Sequence, residues 1–289
     1  MDWLPLLVSA AIAVAVAWPI LSLLEQGGVV RENYRGRVIP AAAGCVIVVA
    51  ALLSLVPLAL LDELTGADPL RRDLQEALVF VLGVAMLGLL DDLLGGRVPA
   101  GAAPRAGSPR GVRGHARATA TGQVTTGLLK ALGTAGLALY VLRGQGHSPA
   151  EYLVGAALLT LSTHVFNLLD LRPGRAGKAL VALGAALTIA LWDTGPLRTL
   201  GIFLGPAFVL LPYDLRERAM LGDVGSNVLG GIAGIWLVLT LGTEGEAVAL
   251  GVLAAVTVYG EFRSISALVE RNPLGRWLDS FGRSGSETP

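Results

Sequence analysis

Apolar residues in this chain come in long unbroken runs. Nine windows stand out, at residues 3–24, 41–61, 74–94, 123–142, 152–169, 179–192, 199–213, 226–241 and 247–265. An α-helix needs roughly 20 apolar residues to cross about 30 Å of hydrocarbon at 1.5 Å per residue. The pattern therefore predicts an all-α, polytopic integral membrane protein of about nine transmembrane helices. It is read as one domain over residues 1–289, with a cytoplasmic amphipathic tail at 266–283. Windows 179–192 and 199–213 are short for a full crossing, and together they also fit a single broken hairpin. Trp3, Trp18, Tyr140, Tyr152, Trp192 and Tyr213 fall near window ends, where amphipathic rings favour the interface. Ala15-Val16-Ala17 has the spacing of a cleavage site, but no positive charge precedes the first run, so 3–24 reads as a retained span.

Composition sharpens this picture. The chain is 53% hydrophobic and 15% charged, with a mean hydropathy of +0.65, where soluble domains carry about a quarter charged residues. A net charge of +0 gives no reason to expect nucleic acid as a partner. Cys45 is the one cysteine, which excludes an intramolecular disulfide, and inside an apolar run it reads as an inert packed thiol. With the amino terminus outside, four of the 22 basic residues (Arg71, Arg72, Arg143 and Arg198) lie outside and the other eighteen are cytoplasmic. Such a bias supports that orientation in a cell membrane. The largest cytoplasmic loop, 95–122, is rich in Gly, Pro, Arg and Ala, and the glycines of Gly230-x-x-x-Gly234 read as close helix packing.

That orientation gathers the unusual polar residues at one face. Asp91 and Asp92 end the third span, and adjacent carboxylates at a hydrocarbon edge call for a cation, a proton or a basic partner. They also fit a solvated helix end. The segment Leu221-Gly222-Asp223-Val224-Gly225-Ser226-Asn227 opens the eighth span. It reads as a helix cap, or as a site where glycines admit phosphate oxygens to the backbone and Asp223 supplies a hard ligand for Mg²⁺. After the fifth span, Asn167 and Asp170 share a helix face, and Arg172, Arg175 and Lys178 follow in a Gly/Pro-bent loop suited to phosphate or to positive-inside anchoring. His164, one turn deeper, reads as a packed core histidine. Arg35 and Arg37 add cations after the first span.

In their order and common sidedness these motifs resemble the polyprenyl-phosphate sugar-1-phosphate transferase superfamily, which includes phospho-N-acetylmuramoyl-pentapeptide transferase and the polyprenyl-phosphate N-acetylhexosamine-1-phosphate transferases. The resemblance covers most of the chain: a basic loop ending in Pro40 and Gly44, the Asp91-Asp92 pair, the Asn-Leu-x-Asp segment at 167–170, and Gly222 to Gly231. It implies Mg²⁺-dependent transfer of a sugar 1-phosphate from a nucleotide diphosphate sugar to membrane polyprenyl phosphate, for cell-envelope glycan synthesis. Under it, Asp91, Asp92 and Asp223 are catalytic, and Asp223 and Asp92 hold the metal. Asn167, Asp170, Arg172, Arg175, Lys178, Arg35, Arg37, Gly222 and Ser226 bind substrate. A uridine-linked donor is the family expectation, and a homodimer is compatible.

Two departures bear on that reading. Leu171 and Pro173 stand where the family continues with glycine and a second aspartate, in the region that holds the nucleotide. The histidine-rich motif near the family's carboxyl end is replaced by Glu270-Arg271-Asn272-Pro273-Leu274-Gly275-Arg276, the only histidines being His115, His147 and His164. The alternative they raise is a non-catalytic relative that binds lipid phosphate or nucleotide without turnover. A transporter or flippase is disfavoured, since the acids cluster at one face and the midplane lacks ionisable residues.

Overall fold

The computed structural model describes residues 3–66, 73–94 and 125–283. The loop expected over 95–122 lies outside them, as do Arg71, Arg72 and His115. The described chain forms α1 (Leu4–Gln26), β1 (Val30–Glu32), β2 (Val38–Pro40), α2 (Cys45–Thr65), α3 (Leu74–Leu94), α4 (Thr126–Leu142), α5 (Pro149–Leu169), α6 (Arg175–Leu191), α7 (Gly195–Leu215), α8 (Gly222–Thr240), α9 (Thr243–Phe262), α10 (Ile265–Arg271) and α11 (Pro273–Ser280). Seven of these, α1, α2, α3, α5, α7, α8 and α9, are long and apolar enough to cross a membrane. The protein is thus a helical, multi-pass membrane protein.

Each apolar window overlaps one of α1–α9, but with different lengths than expected. Helices α4 and α6 have 17 residues each, about 25 Å at 1.5 Å per residue. Helix α7, expected to be short, runs for 21. Its polar ends, Arg198 and Tyr213-Asp214, hide the extra turns from a hydropathy reading. Nor do α6 and α7 make a self-contained hairpin. Helix α7 packs chiefly on α1, where Ser9 Oγ donates to the Gly201 carbonyl at 3.0 Å.

The described chain is helical as expected apart from one short element. The basic stretch after α1 is an antiparallel hairpin, pairing Val30 with Pro40, Arg31 with Ile39 and Glu32 with Val38. Asn33 makes its turn: the Asn33 Oδ1 accepts from the Arg35 and Arg37 amides at 2.9 and 3.0 Å. This is the local side-chain-to-backbone bonding at which asparagine excels.

Helix α8 is the centre of the bundle, buried continuously from Val224 to Leu237. Its small residues let neighbours approach backbone to backbone. A Cβ at Gly230 would stand 2.6 Å from the Thr163 Cα of α5, and one at Gly88 of α3 would collide with the Asp223 carbonyl. The second crossing matters most, because it seats the start of α8 against α3 just one turn before Asp91 and Asp92.

Candidate functional site

Adjacent residues on a helix point about 100° apart, so Asp91 and Asp92 serve different neighbours. Asp91 faces α4 and α8. The Lys130 Nζ donates to Asp91 Oδ2 at 2.9 Å and to Asp223 Oδ2 at 3.0 Å, and the Asp91 carboxylate also lies within hydrogen-bonding reach of Asp223 and of Thr126. From α5, the Asn167 Nδ2 donates to Asp223 Oδ1 at 2.7 Å and to Ser226 Oγ at 3.2 Å. Six side chains from four helices therefore meet at one point. The side chains of Lys130, Asp91 and Asp223 retain 18, 17 and 31% exposure, so the cluster is open to a ligand.

Asp92 turns the other way and is buried. Its Oδ2 accepts from the Val224 amide at 2.9 Å, which is the third residue of α8, while Arg31 of the hairpin approaches its Oδ1 at 3.6 Å and donates to its carbonyl at 2.7 Å. No side chain of its own segment caps α8. Asp92 does so from α3, placing negative charge where the amides and the dipole favour it. The cap occupies Oδ2, while Oδ1 accepts no hydrogen bond. Gly222 serves the same junction: it sits at φ 74°, and a Cβ there would meet Asp92 Oδ2 at 2.7 Å and the Ala42 backbone at 2.8 Å. Conformation and space alone require glycine there.

The predicted substrate cations are engaged elsewhere. Arg175 and Lys178 occupy the first turn of α6, because Gly174 at φ 73° starts the helix earlier than the apolar window suggests. Arg175 makes a bidentate pair with Asp279 at 2.8 and 3.0 Å and donates to Ser266 Oγ at 3.0 Å. Lys178 donates to the carbonyls of Leu278, Asp279 and Phe281. Arg283 joins Asp279 at 2.9 Å. Burial would raise the Asp279 carboxyl, but the hydrogen bonds and charge of Arg175, with Arg283 and Lys178 close by, hold it below the usual carboxylate range. Arg172 pairs with Glu270 at 3.1 Å and lies over the Tyr34 ring. Arg35 pairs with Glu217 at 3.2 Å, and Arg37 is exposed at the hairpin tip. None of these five side chains belongs to the Asp91–Asp223 cluster.

Asp170 borders a narrow cleft of about 60 Å³, lined also by Asn33, Tyr34, Arg172, Asp214 and Glu217. Burial lifts its carboxyl well above the usual range, and the carboxylates of Asp214, Asp223 and Asp92 lift it further. Two acids unseen in the sequence build this cleft. Asp214 accepts from the Gly174 amide at 2.8 Å. Glu217, buried and held at φ 52°, accepts from Asn33 Nδ2 at 2.9 Å and Tyr34 Oη at 3.0 Å, which fastens the hairpin to the α7–α8 connection. A larger cavity of about 330 Å³ lies at the opposite end of α3, between Asp73, Glu76 and the apolar side chains Val141, Leu159 and Ile235. Its distance from every group above separates it from the carboxylate cluster.

Lys130 is the central residue that sequence reasoning passed over. Its signal was present: a lone lysine inside an otherwise apolar window needs a buried partner. Among the described residues no group of three or more His, Cys, Asp or Glu is arranged to hold a metal. The two carboxylates and the Asn167 amide nonetheless fit Mg²⁺, which uses one or two carboxylates and completes its shell with water and substrate phosphate. No protein-family model matches this chain, and no curated protein matches it.

Proposed function

We propose that the protein transfers a sugar 1-phosphate from a nucleotide diphosphate sugar to polyprenyl phosphate, at the cytoplasmic face of a cell membrane. The observation that carries this reading is the convergence of Asp91, Lys130, Asn167 and Asp223 at one end of the bundle. The hairpin, the C-terminal end of α3, the start of α4, the α5–α6 turn, the start of α8 and the tail all meet at that end. Such convergence supports nine crossings, with α4 and α6 as the short ones and the amino terminus outside.

In the reaction, a lipid phosphate oxygen attacks the phosphorus that carries the sugar, and the bond from that phosphorus to the bridging oxygen breaks. The nucleoside monophosphate leaves with the bridging oxygen. Both reactants are anions, so catalysis is mainly charge neutralisation and positioning. Mg²⁺ held by Asp223 and Asp91 would draw charge from the diphosphate. Lys130 is poised to turn from the two carboxylates to phosphate oxygens, and Asn167 fixes the Asp223 carboxylate. Asp92 is a positioning residue that holds the start of α8. In this reading part of the donor nucleotide would lie against the acidic Asp170 cleft.

The test is incubation of the purified protein with Mg²⁺, undecaprenyl phosphate and a panel of nucleotide sugars, reading released nucleoside monophosphate. Release with one donor, dependent on lipid phosphate, establishes the activity. The engagement of Arg175 and Lys178 by the tail favours a second reading, a binder without turnover. For that, nucleotide or lipid phosphate would raise the melting temperature while no monophosphate is released.

A further inference from the structure

The tail after α9 has two unlike faces. On α11 and its end, Leu274, Trp277, Leu278 and Phe281 follow at i, i+3, i+4 and i+7 and so form one stripe about 100° wide. All four are more than half exposed, and the Trp277 and Phe281 rings lie 5.6 Å apart in one ridge. Asp279 projects from the other side of the helix, into the Arg175–Arg283 clamp. The protein therefore grips the polar back of the tail and turns its apolar stripe away.

The clamp also sets the depth of that stripe. Lys178 rises from the first turn of α6, yet its ammonium reaches the carbonyls of residues 278, 279 and 281. At Gly282, a Cβ would stand 3.4 Å from the Leu215 side chain at the last residue of α7. The end of α11 is thus held level with the ends of the helices beside it, where hydrocarbon gives way to headgroups. Exposed Arg263, Arg271 and Arg276 accompany the stripe. The acids nearby are Asp279, taken by the clamp, Glu270, paired with Arg172, and Glu261 at the end of α9, which is also engaged. Among the described residues of the tail, the uncompensated charge is positive.

We propose that α10 and α11 form an interfacial strap, whose apolar stripe lies in the headgroup region of a bilayer and whose arginines select anionic lipid. Apolar residues on one face with arginine on the polar face is the composition such helices share, and anionic headgroups supply the counter-charge. This inference is independent of the transfer reaction.

The test uses the full chain, in a Cys45→Ala background, in nanodiscs of phosphatidylcholine with or without phosphatidylglycerol. Spin labels at Leu274→Cys and Arg276→Cys are compared for access to oxygen and to a water-soluble nickel chelate. The expected result is that 274 favours oxygen, at a depth of about 5–10 Å, while 276 favours nickel. Removing the anionic lipid should move 274 toward nickel. Nickel access at both positions overturns the proposal. Shielding of both from both reagents also overturns it, and points to a protein partner or a second copy. A pattern indifferent to phosphatidylglycerol overturns the lipid selectivity. If the Cys45 variant does not fold, quenching by brominated lipid that disappears in Trp277→Phe reads the same depth, and absence of that difference counts against the strap.

Discussion

Lys130 and Asp223 are joined at 3.0 Å, and the same ammonium holds Asp91 at 2.9 Å. One monovalent cation thus keeps two carboxylates together at a point where a divalent cation would neutralise both. Replacing Lys130 by Met should destabilise the protein by about 1–3 kcal/mol, below the value of a fully buried pair because the acids stay partly wet. Added Mg²⁺ should raise the melting temperature more in this variant than in the parent. Turnover should fall by at least about a hundredfold. An unchanged Mg²⁺ response would separate Lys130 from the metal.

Asp223 and Asp92 should respond differently to loss of charge. Asp223→Asn is expected to abolish nucleotide release with little loss of stability, since Asn167 can still bond the side-chain oxygen and Ser226 the backbone carbonyl. Asp92→Asn should instead cost about 1–2 kcal/mol by weakening a charged cap, with a smaller loss of turnover. Thermal melts in detergent beside initial rates distinguish the two patterns. Asp91→Asn combined with Asp223→Asn should be far from additive, because both carboxylates act on one cluster.

Asp170 gives a prediction of opposite sign. Its carboxyl is raised by burial and by Asp214, so its charged form opposes folding, and stability should increase as pH falls through its folded value. Asp170→Asn should therefore raise the melting temperature at pH 8 and flatten its dependence on pH. Because Asp170 lines the cleft, the same change should raise the Michaelis constant for the nucleotide sugar.

Asp279 is held low, so its contribution is present above the ordinary carboxylate range and is lost as pH drops through its still lower folded value. The tail should loosen in acid, below about pH 4. Arg175→Gln should loosen it at neutral pH. Hydrogen exchange over 265–283 measures both. If Arg175 contacts the donor diphosphate instead, exchange in the tail stays unchanged and the Michaelis constant rises.

The long apolar helices and the acidic ends of α3 and α8 were legible because long apolar runs and the carboxylates that interrupt them are properties of the sequence itself. The hairpin was not, since strands of three residues carry little periodicity and this one is fastened by Glu217, 184 residues away from Asn33. Lys130 was passed over because one charge inside the 123–142 window hardly lowers the hydropathy of so apolar a run. The local structure around Arg175 was missed for a similar reason. Gly and Pro at 173–174 suggested a bent loop, whereas a left-handed Gly174 starts a helix, and the partner that claims Arg175 lies 104 residues further on.

The contact of Gly88 with the Asp223 backbone also limits how the molecule can adapt. Two helices touching main chain to main chain cannot slide past one another without a clash, so the distance between the Asp91 and Asp223 backbones is a fixed gauge. Ligands of different size must be fitted by the parts hung around that gauge: the hairpin, the α5–α6 turn and the tail. Variation in donor preference among engineered forms should accordingly come from changes in those three segments, while enlarging Gly88 should remove every activity at once, whatever the donor.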